Sequence, residues 1–180
     1  MSKFKAYTMP HVQPCEVPAH SLLRKYKDGA GFADCYCIEV TGTVSQAAYI
    51  AAFYTSALFK LERTLLKYLA SKPASDADVK RLAAGQAATF SAWQVEAQTA
   101  SELLLADYTG RTRSWLMAEP TDALGTATRL HFGSAVVPRT AAGAQKPSMG
   151  WIFHALLGFH RLYSRSLLRA ASRRVRVQSD

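Results

Sequence analysis

The chain has 180 residues, 49% apolar and 19% charged, which excludes wholesale disorder and fits one domain around one core. Lys and Arg number 22 against 13 Asp and Glu, a formal charge of +9, and six arginines against one aspartate fall within residues 161–180. The basicity is therefore local and marks a surface feature. Three cysteines, Cys15, Cys35 and Cys37, have no framework spacing, and no apolar leader follows "MSKFKAYTMP", so a cytoplasmic location is expected.

Residues 1–32, with Pro10, Pro14, Pro18 and Gly29 and no sustained period, read as an extended arm. "ADCYCIEVTG" (33–42) has strand composition and stops at Gly42. A helix is predicted from the N-cap Ser45 to about Ala70, with an apolar stripe of Ile50, Tyr54, Ala57, Leu58, Leu61, Leu65, Tyr68 and Leu69. Residues 40–59 are uncharged and long enough to span a bilayer, but seven of the twenty are Thr, Ser, Gln or Gly, which argues against a span. Ser75 should cap a shorter helix, "DADVKRLAAG", that stops at Gly85. Four strands follow, at 88–98, 102–108, 111–119 and 126–138, joined by short connections that make an antiparallel meander. A last helix is expected over 148–174, with a basic tail at 175–180. The order is β-α-α-β-β-β-β-α, an α+β class with residues 33–174 as a single domain.

At about 100° per residue, Arg161, Arg165, Arg169 and Arg173 fall on one face of the last helix. Ile152, Leu156, Phe159, Tyr163, Leu167 and Ala170 form an arc centred roughly opposite, with His160 at its border. Gly158 inside the helix marks a bend or a close approach to the backbone.

Several stretches carry a resemblance: "FYTSALFKLERTLLKYL" (53–69), "TFSAWQVEAQTASELLLAD" (89–107), "GRTRSWLM" (110–117), "LHFGSAVV" (130–137) and "FHRLYSRSLL" (159–168). They are similar to an uncharacterised bacterial family, a domain of unknown function, that resembles the START-like and polyketide-cyclase-like helix-grip superfamily. The resemblance implies a curved antiparallel sheet gripping the terminal helix around an apolar cavity for a lipid, polyketide or similar ligand. It transfers no catalytic residue. The meander and first strand make five strands where such a sheet usually has six or seven, so either the arm supplies another or the cavity is reduced.

Candidate sites follow from residue type and parity. Cys35 and Cys37 share one side of a strand, but a closed zinc site needs four ligands and no second pair is visible, so no metal is expected and both read as small buried hydrophobes. No cofactor motif occurs. Arg113, Trp115 and Met117 share one parity: either Trp115 and Met117 line the cavity with Arg113 anchoring an anionic head group, or Arg113 is exposed and pairs with Glu96 or Glu119, the favoured reading. Trp93 should face the core beside Val95 and Ala97. His160 and Tyr163, three residues apart, form either an acid–base pair or a satisfied polar pair in the core, the second favoured. His131 shares parity with Arg129 and is expected at solvent or an interface. The Arg161, Arg165, Arg169 and Arg173 stripe reads first as a solvated face, then as a contact with anionic membrane, and last as a nucleic-acid contact, which would want interleaved aromatics. The preferred function is non-catalytic binding or carriage of a hydrophobic small molecule, neutral or anionic. The alternatives are a cyclase, dehydratase or isomerase using His160 and Tyr163, and a membrane-surface module.

Overall fold

The computed structural model describes residues 11–29, 32–60, 74–137 and 151–177. Its elements are β1 (Gln13–Pro14), α1 (Arg24–Lys27), β2 (Phe32–Thr41), α2 (Gln46–Tyr54), α3 (Asp76–Ala83), β3 (Thr89–Phe90), β4 (Trp93–Gln98), β5 (Glu102–Asp107), β6 (Thr112–Pro120), β7 (Ala127–Val136) and α4 (Trp151–Val177). The strands form one antiparallel sheet in the order β1-β2-β7-β6-β5-β4-β3. The α+β class and the meander stand as expected. The strand count does not: among the described residues seven strands replace five, because the arm contributes β1 and the 88–98 segment divides into β3 and β4 at Ser91, which turns through a positive φ of 53°.

The capping signals act where they were read. Ser45 Oγ accepts from Ala48 N at 3.1 Å and starts α2. Ser75 and Asp78 form a reciprocal capping box at α3, and Gly85, at φ +70°, follows its last turn. The helix from Ser45 is not continuous, however: α2 ends at Tyr54. Thr55 Oγ1 donates back to Ala51 O at 2.7 Å, and Ser56 Oγ accepts from Phe59 N at 3.3 Å, capping a new helical turn at 57–60. Hydroxyls that bond the local backbone outcompete the helix there. The predicted stripe beyond residue 60, the loop at 139–147 and the start of the last helix at 148 lie outside the described residues. Among the described residues no helix is long and apolar enough to cross a membrane, and the uncharged 40–59 segment is a strand end, a capped turn and a largely buried helix.

Each face of the sheet is covered. On one face Tyr36, Ile38 and Val40 of β2, Leu103 and Leu105 of β5, Leu116 and Ala118 of β6, and Leu130 and Phe132 of β7 pack against α2, α3 and α4. Leu23 and Val17 of the arm cover the other face, meeting Cys35, Leu104, Trp115, Met117 and Ala135. At about 40 Å, α4 is the longest element; it lies along α2, β2 and β7. Its buried residues are Ser164, Leu167, Leu168, Ala171, Ser172 and Val175, an arc turned by about 100° from the expected one. Tyr163 and Ala170 consequently sit at its edge, half-buried. The helix also extends into the supposed tail, as far as Val177, burying Val175.

Candidate functional site

Of the five candidate ligand residues, Trp93 and Tyr163 belong to the helix-covered face. Both are half-buried and pack on the margin of its core cluster. That core is dense in rings: Phe53 meets Tyr49, Tyr54, Phe59 and Phe132 at centroid separations of 5.0–6.1 Å, and Tyr54 meets Phe90 at 5.0 Å. Tyr49 donates to His131 O at 3.0 Å, and complete burial raises its phenol pKa well above the usual range. The side chain of His160 lies outside the described residues.

Arg113 and Trp115 are on the opposite face, under the arm, and not on a wall facing α4. Trp115 is fully buried, and its Nε1 donates to Glu102 Oε2 at 2.7 Å. The same carboxylate oxygen accepts from Leu22 N of the arm, also at 2.7 Å. The head-group reading of Arg113 gives way to the ion pair with Glu96, at 2.5 Å. The pair is not an exposed ladder, because the Arg113 side chain is only 13% accessible. Tyr26 of α1 covers it, accepting from Arg113 Nε at 2.9 Å, with the guanidinium 4.8 Å from its ring. Lys25 adds a second cation at 2.6 Å from Glu96. Burial pushes the Glu96 carboxyl up, but hydrogen bonds from Lys25 and Tyr26 and the charge of Arg113 prevail and hold it below the ordinary carboxylate range.

Glu96 reaches this place through a β-bulge. The β4–β5 register shifts between Val95 and Ala97, so Trp93 and Val95 face the helices while Ala97 faces the arm. Simple alternation from Trp93 to Ala97 misses this reversal.

His131 is also under the arm and 3% exposed, inside the fold and not at the solvent or interface position expected of it. Its Nε2 lies 2.9 Å from Glu119 Oε1. Its Nδ1 faces two thiols, Cys15 Sγ at 3.8 Å and Cys35 Sγ at 3.9 Å, which are themselves 3.0 Å apart. Cys37 is buried on the same side of β2, directly opposite His131 in the β2–β7 register. The hydrogen bond that Cys15 donates to Cys35, together with burial, pushes the Cys15 thiol up to about 12, against a lowering contact from Cys37. The Cys37 thiol is raised too, by its bond to Cys15 and by burial.

A further feature is a cleft of about 350 Å³ between the start of α2, the end of α3 and the β4–β5 turn. Gln46 and Gln98 supply its amides among small residues. Gln46 Nε2 donates to Leu116 O at 3.1 Å while its buried Oε1 has no hydrogen-bond partner among the described residues. Nothing in the sequence pattern set this first helical residue apart.

The arginines of α4 are where projection puts them. Arg161, Arg165, Arg169 and Arg173 are all exposed, and Leu162, 67% exposed, stands among them. Comparison with protein-family models, curated proteins and solved structures finds no match to this chain.

Proposed function

We propose that the protein is a non-catalytic binder of a hydrophobic small molecule, held in a helix-grip arrangement between the sheet and α4. The observation that carries this reading is that Trp93 and Tyr163 are each half-buried against the same core cluster. They come from a strand and a helix far apart in sequence, yet both present a half-buried ring at the margin of one aromatic-rich interior. A ring that is partly buried and partly wet offers an apolar ligand a rigid face at low entropic cost. The ligand needs no fixed anion here, since Arg113 is engaged by Glu96 on the other face.

Native mass spectrometry of the purified protein, followed by titration with N-phenylnaphthylamine, tests the reading. Saturable binding, weakened about tenfold in Trp93→Ala or Tyr163→Ala, is expected from the loss of one aromatic contact. A protein with no co-purified lipid and no saturable probe binding overturns it.

A second reading, a membrane-surface module, has one observation in its favour: exposed Leu162 is set within the exposed arginine stripe. The buried arc of α4 is already used by the fold, so the attraction is chiefly electrostatic. Sedimentation with phosphatidylserine vesicles, abolished by high salt, is the expected result; failure to sediment at low salt excludes it.

A further inference from the structure

We infer that Cys15, Cys35, Cys37 and His131 form a structural zinc site that fastens the N-terminal arm to the sheet. Cys15 comes from the arm, Cys35 and Cys37 from β2 and His131 from β7; the Cys15 and Cys35 sulfurs and a His131 ring nitrogen lie within 4.8 Å of one another, and Cys37 is buried on the same face of β2, opposite His131 in the register. Zinc–sulfur bonds of about 2.3 Å and zinc–nitrogen bonds of about 2.0–2.1 Å in a tetrahedron place ligand atoms about 3.5–3.8 Å apart. The two thiol–imidazole separations, 3.8 and 3.9 Å, are within a few tenths of an ångström of that spacing, and the Cys15–Cys35 pair at 3.0 Å opens to meet it. Cys37, buried on the same face of β2 and directly opposite His131 in the β2–β7 register, supplies the fourth ligand by a side-chain rotation.

The imidazole is prepared for this role. Glu119 holds Nε2 at 2.9 Å, which fixes the N–H there and leaves the Nδ1 lone pair directed at the sulfurs. Binding releases the three thiol protons while His131 enters neutral; three thiolates and one dication leave a single negative charge. Arg129, whose charge acts on Cys15, lies nearby, paired with Glu39 at 2.7 Å. Burial of Cys35, Cys37 and His131 leaves no open coordination position for a substrate, the mark of a structural rather than a catalytic site. A Cys15–Cys35 disulfide is the competing fate of the close thiols, but it needs an oxidant to remove two electrons and leaves His131 and Glu119 without a purpose. The site is on the opposite face from the proposed apolar ligand, so the two stand or fall separately.

The test is titration of the reduced full-length protein with Co²⁺, followed by displacement with Zn²⁺. One equivalent of Co²⁺ should give tetrahedral ligand-field bands and thiolate charge transfer, and Zn²⁺ should abolish both. Cys15→Ser and His131→Gln should each weaken binding at least about tenfold, Glu119→Gln about 10–100-fold as a positioning residue, and Cys37→Ser should change the spectrum from three sulfurs to two. Cys15→Ser lies in the arm, so retention of its far-UV circular dichroism separates loss of ligand from loss of fold. The proposal is overturned if the reduced wild type, with three titratable thiols, takes up no stoichiometric Co²⁺ or Zn²⁺. Undiminished affinity in folded Cys15→Ser, or a disulfide-bonded protein that stays metal-free after reduction, overturns it equally.

Discussion

The two faces of the sheet are built from different interactions. The helix-covered face is aromatic and aliphatic, with rings of α2 interlocked with Phe90 and Phe132. The arm-covered face has a smaller apolar patch bordered by Glu102 with Trp115, Glu96 with Arg113 and Lys25, and His131 with Glu119. Apolar burial is non-directional and scales with area, whereas a buried polar pair is lost whole when one partner goes. The first face should therefore set global stability, and the second should respond to single atoms and to pH.

The largest effect expected is on the helix-covered face. Phe53→Ala removes a fully buried ring that meets four others and should lower stability by about 3–5 kcal/mol in urea denaturation; a loss under 1 kcal/mol would show that this core is loosely packed. Gly133→Ala should act on the other face. Its added methyl would lie 2.5 Å from Leu23 Cδ2 and 2.9 Å from both Asp34 O and a Trp115 ring carbon. The expected destabilisation is about 1–3 kcal/mol, with faster hydrogen exchange in residues 21–28 and little change in α2. Equal acceleration in both regions would abolish the distinction between the faces.

The smallest effect is the acid response of the arm. Glu96 has a lowered carboxyl pKa in the fold, so its contribution is fully present above the unfolded carboxylate range near pH 4.3 and is lost as pH falls through the depressed folded value. Amide protection at Leu22–Tyr26 should decline across that acidic window, and Glu96→Gln should remove most of the pH dependence while leaving α2 protection unchanged. A pH-independent arm in the wild type contradicts the assignment.

What could be read from the chain divides along the same lines. Ser45, Ser75 and Gly85 announce helix ends through local chemistry, and β5, β6 and β7 through length and alternation, so these were legible. The Thr55–Ser56 break, the Ser91 turn and the bulge at Glu96 turn on competition between local bonds and tertiary packing, which periodicity does not register. Parity grouped Arg113, Trp115 and Met117 correctly but could not tell which layer they would meet. Nor could it bring Cys15 to His131 across more than a hundred residues. For α4, the exposed arginines were evident while the buried arc was not: Ser164 and Ser172 lie inside it, and hydroxyls carry no hydropathic signal for burial.

The arm also has a colloidal consequence through β1. β2 is ten residues long and rich in β-branched and aromatic side chains, and among the described residues the only strand along its outer edge is the two-residue β1, whose Pro14 has no N–H to offer a further strand. The far edge is closed by another two-residue strand, β3. With the arm in place, both borders of the sheet are short and poor templates. If the arm lifts, β2 becomes a long bare edge able to recruit a second molecule, so whatever holds Cys15 against Cys35 also keeps neighbouring copies of the protein from joining sheet to sheet.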